Sequence, residues 1–206
     1  MQEYKTVEKE SNAEFIEKKS RFIGYVKPVK TQEEAVDFIN SIKSKHWDAT
    51  HNVYAYVLKD NNIQRYSDDG EPSGTAGVPV LDVILKSEVV DVCVVVTRYF
   101  GGTLLGAGGL VRAYAHGSKI ALDAGNTITM GLCSVLTAEV DYSFYERLCS
   151  LLEDFGASIE STDYAENVKV VFSVSQSKAN SLSDKLTDLS NGKYSLNCIG
   201  ERFAKI

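Results

Sequence analysis

The run "VCVVVT", residues 92–97, constrains the fold more than any other part of the chain. Its side chains are apolar on both faces of a strand up to Thr97, so it belongs in the middle of a sheet. It runs directly into "RYFGGTLLGAGGLVRAY", residues 98–114, which holds five glycines and two arginines. Beyond the glycines, Val111, Tyr114, Ala115, Ser118, Ala121 and Leu122 recur at helical spacing until Gly125. A central strand, a glycine-rich turn and a long helix thus form the spine of the N-terminal part.

The flanking segments are also α/β. "SRFIGYVKPV" reads as a strand with basic ends, and Thr31 with Glu34 makes a capping box before a helix with Ala35, Phe38, Ile39 and Ile42 on one face. "HNVYAYVL" and "IQRYS" read as a hairpin across "KDNN". Pro79 suits the first turn of a helix carrying Leu81, Ile84 and Leu85, although "VPVLDVIL" also reads as a strand. Residues 124–132 read as a linker. After them come a strand ("SVLTAEVDY"), a helix opened by a Ser143–Glu146 capping box, two strands ("ASIESTDY", "VKVVFSVS"), a helix through Leu182, Leu186 and Leu189, and a closing strand ("YSLNCIGERF"). That order, βαββαβ, is the ferredoxin-like pattern. The expected class is α+β in two domains, residues 1–131 and 132–206.

The glycine-rich stretch fails as a nucleotide loop. Ala107 stands where a phosphate-binding loop needs lysine, and Val111 where the dinucleotide fingerprint needs its third glycine. Two readings remain. Backbone N–H groups at Gly101 and Gly102, with a helix N-terminus and the flanking Arg98 and Arg112, can hold an anion. Alternatively, the glycines serve a sharp turn and the arginines are solvated or salt-bridged. The loop "SDDGEPSGTAG", residues 67–77, clusters Asp68, Asp69 and Glu71 with Ser73 and Thr75. Such a cluster can bind a cation or provide acid–base groups. It can equally be a polar turn whose acids pair with Arg65, Arg98 or Arg112. EF-hand spacing and G-x-S-x-G are both absent, so a triad of His51, Ser73 and an Asp has only geometry in its favour. The four cysteines form no C-x-x-C pair and the histidines stand at no ligand spacing, so no metal or cofactor is expected.

The chain carries 22 Lys and Arg against 28 Asp and Glu, a net charge of −6, which disfavours indiscriminate nucleic-acid binding. "KKSRFIGYVKPVK", residues 18–30, nevertheless has five basic residues and no acid, so a polyanion site belongs in the N-terminal part. No apolar run is long enough to span a bilayer, and the charged start lacks the apolar core of a secretory signal. A cytoplasmic protein without a membrane partner is expected.

"SRFIGYV", "HNVYAYVL", "DDGEPSGTAGVPVL" and "VVVTRYFGGTLLGAGGLVRAYA", in this order, closely resemble the YigZ/IMPACT family over residues 15–125. The resemblance implies an N-terminal left-handed βαβ domain similar to domain IV of elongation factor G and to domain two of ribosomal protein S five. It implies a C-terminal ferredoxin-like domain similar to domain V of that factor. Handedness rules alone favour the opposite crossover. The signature positions include His51, Asp68, Asp69, Glu71, Ser73 and Thr75 in the first block, and Arg98, Tyr99, Gly101, Gly102 and Arg112 in the second. The expected function is a translation-associated regulatory protein that binds RNA or a ribosome-linked partner without catalysis. Arg98, Arg112 and Arg21 would meet phosphates, the Gly101 and Gly102 amides would assist, and Tyr99 would stack. Lys18, Lys19 and Lys27 extend that surface if they share its face. A small-molecule anion is a further ligand class, and a hydrolase using the Asp68/Asp69/Glu71 loop with the glycine-rich anion site is the alternative.

Overall fold

The computed structural model of the protein describes residues 3–206. They form two compact units, Tyr4–Ile128, and Thr129–Ile206 with Glu3. No helix among the described residues is long and apolar enough to cross a membrane.

The unit Tyr4–Ile128 contains β1 (Tyr4–Val7), β2 (Ser11–Glu17), β3 (Ser20–Pro28), α1 (Gln32–Lys45), β4 (His51–Leu58), β5 (Ile63–Ser67), α2 (Gly77–Lys86), β6 (Val92–Tyr99) and α3 (Ala107–Gly125). Five strands pair in the order β2-β3-β6-β4-β5, with every neighbouring pair antiparallel. The apolar run 92–97 is the middle strand, and Val92–Arg98 is buried throughout. Side chains alternate across it. Cys93 and Val95 pack with Ile23, Tyr25 and Tyr56 against Phe38, Ile39 and Ile42 of α1. Val94 and Val96 pack with Phe22, Val26 and Val53 against Val80 and Ile84 of α2 and Tyr114 and Leu122 of α3.

Local chemistry sets the helix starts. The Thr31 hydroxyl accepts from the Glu34 N–H at 3.2 Å and opens α1. The segment "GVPVLDVIL" is a helix and not a strand, with Pro79 in its first turn where the missing N–H costs nothing. The buried stripe of α3 runs through Leu110, Ala113, Tyr114, Gly117, Ser118, Ala121 and Leu122, while Val111 is exposed, so the core-facing stripe differs from the one spaced from Val111. β1 and β2 are strands that the charged N-terminus conceals. β2 is an edge strand with mixed charged and apolar residues, whose weak pattern gives little signal.

In the second unit the elements are β7 (Thr127–Val140), α4 (Tyr142–Asp154), β8 (Ser158–Tyr164), β9 (Val168–Ser175), α5 (Gln176–Leu189) and β10 (Asn197–Lys205). They pair antiparallel in the order β10-β7-β9-β8, the strand arrangement of the ferredoxin-like βαββαβ pattern. Leu136, Phe172 and Val174 of the sheet close over Leu148 and Leu152 of α4 and Leu182 and Leu186 of α5. Two local expectations fail. Residues 127–132 are not a linker but the first part of β7. Ser143 does not cap α4: the helix begins at Tyr142, the capping position is Asp141, and the Asp141 carboxylate pairs with Lys193.

α3 lies directly on β3 at one point. A Cβ at Gly24 would sit 2.2 Å from the Gly117 carbonyl oxygen, so Gly24 is needed for backbone-to-backbone contact, while a Cβ at Gly117 would press on the Val96 side chain at 2.9 Å. Gly24→Ala is expected to lower the unfolding free energy by about 2–3 kcal/mol, since rigid backbone must move to admit a methyl group. Urea unfolding checks this; a loss below about 0.5 kcal/mol would mean that α3 is not seated this closely.

Candidate functional site

The two glycine- and acid-rich loops meet at one buried carboxylate. Glu71, 8% exposed, accepts through Oε1 from Arg98 Nη1 at 2.6 Å and from the Tyr114 hydroxyl at 2.7 Å. His51 Nε2 lies 3.8 Å from the same oxygen. The sheet brings these groups together: His51 on β4 and Phe22 on β3 stand opposite Arg98 on β6, and α3 supplies Tyr114 from above. Burial first, and the Glu71 charge second, push the Tyr114 hydroxyl pKa up, so it is a fixed neutral donor. His51 Nδ1 is 2.8 Å from the Asp69 carbonyl oxygen, which only accepts, so the proton of that tautomer sits on Nδ1.

The remaining carboxylates of the loop have separate partners. Asp68 accepts from the N–H groups of Gly74, Ala76 and Gly77, and so caps the start of α2. Asp69, at φ 46°, accepts from Lys43 Nζ and from the Asn52 N–H, both at 2.6 Å. The Thr75 hydroxyl donates to the Pro72 carbonyl at 2.7 Å, and Ser73 is exposed in the same loop. Among the described residues no group of three or more His, Cys, Asp or Glu is placed to hold a metal ion.

The expected anion site is therefore divided. Arg98, only 5% exposed, is neutralised by Glu71 and is not a free phosphate contact. The Gly101 N–H donates to Ser20 Oγ at 3.2 Å, and a Cβ at Gly101 would lie 2.0 Å from the Lys19 carbonyl, so this glycine serves close packing. Gly102 is in the left-handed region at φ 81°, where it turns the chain. Tyr99 follows Arg98 on the same strand and so points to the α1 face, where it cannot stack beside Arg98. Arg21, paired with Tyr99 in the register, lies on that face and holds Glu14 at 2.6 Å. Arg112 lines a different cleft, with Lys18, Phe15 and His116. Sequence patterns miss Tyr114 and Ser20 as polar partners, because Tyr114 reads as one more apolar position of a helix face.

The cleft over the Glu71 cluster has a volume of about 430 Å³. His51, Glu71 and Arg98 contribute polar groups, while Pro72, Phe100, Leu104 and Leu110 make an apolar wall. The Gly106–Ala107 start of α3 forms part of its edge.

On the opposite face His46 links two tyrosines. The Tyr99 hydroxyl donates to Asp48 at 3.1 Å and therefore accepts from His46 Nδ1 at 2.9 Å. His46 Nε2 then accepts from the Tyr25 hydroxyl at 2.6 Å. Burial, followed by the nearby charges of Lys45 and Arg21, holds the His46 pKa below its ordinary 6.5. The unfolded chain thus binds this proton more readily than the native one. Its contribution to stability is complete above 6.5 and is lost as pH falls from there through the depressed native value. Urea unfolding at about pH 7.5 and pH 5.5 should show that loss in the wild type and a smaller one in His46→Gln. Equal losses in both proteins would contradict it.

Comparison with known proteins bears on the same residues. Residues 18–122 match the family model of the Impact N-terminal domain, and residues 139–193 match the Domain of unknown function (DUF1949). The IMPACT family member YvyE of Bacillus subtilis is 42% identical over 191 residues, covering 92% of this chain and 88% of the relative. YigZ of Escherichia coli is 36% identical over 187 residues, covering 89% and 92%. A solved structure titled as that of a hypothetical protein superposes with a TM-score of 0.61 at 33% identity, covering 97% of this chain and 98% of the other. The residues around Glu71, His51 and Arg98 all fall inside the first match, and the chain belongs to the YigZ/IMPACT family.

Proposed function

We propose that the protein is a translation-associated regulator that binds RNA through the Tyr4–Ile128 unit and performs no catalysis. One observation carries the RNA part. Lys18, Lys19 and Arg112 form no ion pair among the described residues, although the chain carries an excess of acids. Lys18 and Arg112 line a cleft of about 460 Å³ whose wall includes Phe15 and the His116 ring, edge-on at 4.6 Å. A polyanion brought to this cleft meets cations held in no ion pair, with Glu17 the one acid in the lining and ring surface beside them for a base.

Lys18 and Lys19 also form the two-residue turn between β2 and β3, with φ of 45° and 67°. Asn-Gly is the favoured pair for such a turn, so lysine at both positions carries backbone strain while presenting two ammonium groups at the tip. The binding surface is thus shifted from Arg98, Tyr99 and Arg21 to Lys18, Lys19 and Arg112. The translational role rests on family resemblance, as does the kinship of this unit with domain IV of elongation factor G and domain two of ribosomal protein S five. A cytoplasmic place of work follows from that role. The hydrolase alternative finds less support, because Asp68, Asp69 and Glu71 each have separate structural partners.

Titration with a structured RNA across a salt series tests the reading. Lys18→Ala combined with Arg112→Ala should weaken binding and reduce the slope of log K against log salt by about 1–2. Arg21→Ala, on the α1 face, should leave both unchanged. Unaltered affinity and slope in the Lys18/Arg112 variant would overturn it.

A further inference from the structure

We infer that the cleft over Glu71 is a second binding site, separate from the cationic cleft, and that it takes an uncharged apolar ring compound carrying an N–H or O–H donor. The inference does not depend on RNA binding. Arg98 lines this cleft but is committed elsewhere. Its Nη1 is held by Glu71, its Nη2 lies 3.4 Å from Ser20 Oγ, and its Nε is enclosed in the interior. A ligand anion therefore meets no free cation at the floor of the cleft.

The groups left over at that floor are both acceptors. His51 donates through Nδ1 to the Asp69 carbonyl oxygen at 2.8 Å, so in the neutral ring Nε2 carries a lone pair. No hydrogen bond reaches Nε2 among the described residues, and the His51 side chain keeps 19% of its surface exposed. Glu71 accepts from Arg98 and Tyr114 through Oε1 alone. Its Oε2 has no hydrogen-bond partner among the described residues, and it is not enclosed as the Arg98 Nε is. His51 and Glu71 both line the cleft. Two acceptors facing one space repel a carboxylate or ether oxygen and are satisfied by an N–H or O–H.

The charge balance sets the charge of the ligand. Arg98 already neutralises Glu71, so an ammonium would bring an unbalanced charge into an apolar space, and a neutral donor does not. The wall sets its body. Leu104 is 82% exposed and Phe100 46% exposed, and both line the cleft with Pro72 and Leu110. A ring seated against them removes that surface from water. The volume of about 430 Å³ lies within the range of small-molecule sites.

The probe is indole, titrated into the isotope-labelled full chain at about pH 8, where an ordinary histidine is neutral. Backbone amides and the His51 ring nitrogens are followed, and saturable shifts are expected at Leu104, Leu105, Leu110 and His51 Nε2. Benzofuran has nearly the same shape with an oxygen in place of the N–H. It should bind at least about fivefold more weakly, since it leaves both acceptors unmet. His51→Phe should narrow that difference, while Leu104→Ser, at an exposed position, should weaken both ligands. 3-Phenylpropanoate, apolar but anionic, should bind more weakly than indole. The comparison of indole with benzofuran uses the unaltered chain and decides the matter even where His51→Phe does not fold. The absence of saturable shifts, equal affinity for indole and benzofuran, an undiminished difference in folded His51→Phe, or tighter binding of 3-phenylpropanoate would overturn the proposal.

Discussion

The Arg98–Glu71 ion pair is the interaction on which the rest of the N-terminal unit depends. Both side chains are almost wholly out of water, and each would be expensive there alone. The pair joins the last turn of the central strand to the acid-rich loop, 27 positions earlier in the chain. Through Glu71 the same contact reaches Tyr114 on α3, and through Arg98 it reaches Ser20 at the start of β3. Four segments distant in sequence are thereby fixed around one carboxylate oxygen and its partner guanidinium. The strength of that arrangement is what makes the loop 68–76 a defined wall of a cleft.

The fold was largely legible, and the site only in part, for reasons visible in particular residues. The uninterrupted apolar run at 92–97 announces a strand covered on both faces, and the spacing of Leu148, Leu151 and Leu152 announces α4. β2 gives no such signal, because edge strands need only one sparse apolar row. Its absence from the sequence pattern also hides the hairpin that carries Lys18 toward Arg112. The pairing of a loop acid with Arg98 is one of several pairings open in the sequence, since Arg65 and Arg112 fit the composition equally well. Tertiary structure alone chooses among them. The separation of Arg98 from Tyr99 follows from strand alternation, once the strand is seen to continue through Tyr99 and not to stop at Arg98.

The clefts on either side of Leu105 divide the chemistry between them. One is edged by Lys18, Arg112 and Glu17, which form no ion pair among the described residues; the other has an apolar wall over the Arg98–Glu71 pair. This division leaves an acidic chain, of net charge −6, with one local group of cations outside any ion pair. The three carboxylates of the signature loop each have a structural partner: one caps a helix, one fixes a lysine and a strand amide, and one anchors the central arginine.

A double-mutant cycle on Arg98 and Glu71 tests this account most directly. Arg98→Met and Glu71→Gln should each lower the unfolding free energy by about 3–5 kcal/mol, because each leaves the partner charge buried and unpaired. The double variant should cost less than the sum by about 2–3 kcal/mol, the coupling expected of groups in direct contact. Additivity to within about 0.5 kcal/mol would mean that the two groups act independently. In that case the ion pair would not be what holds the two loops together.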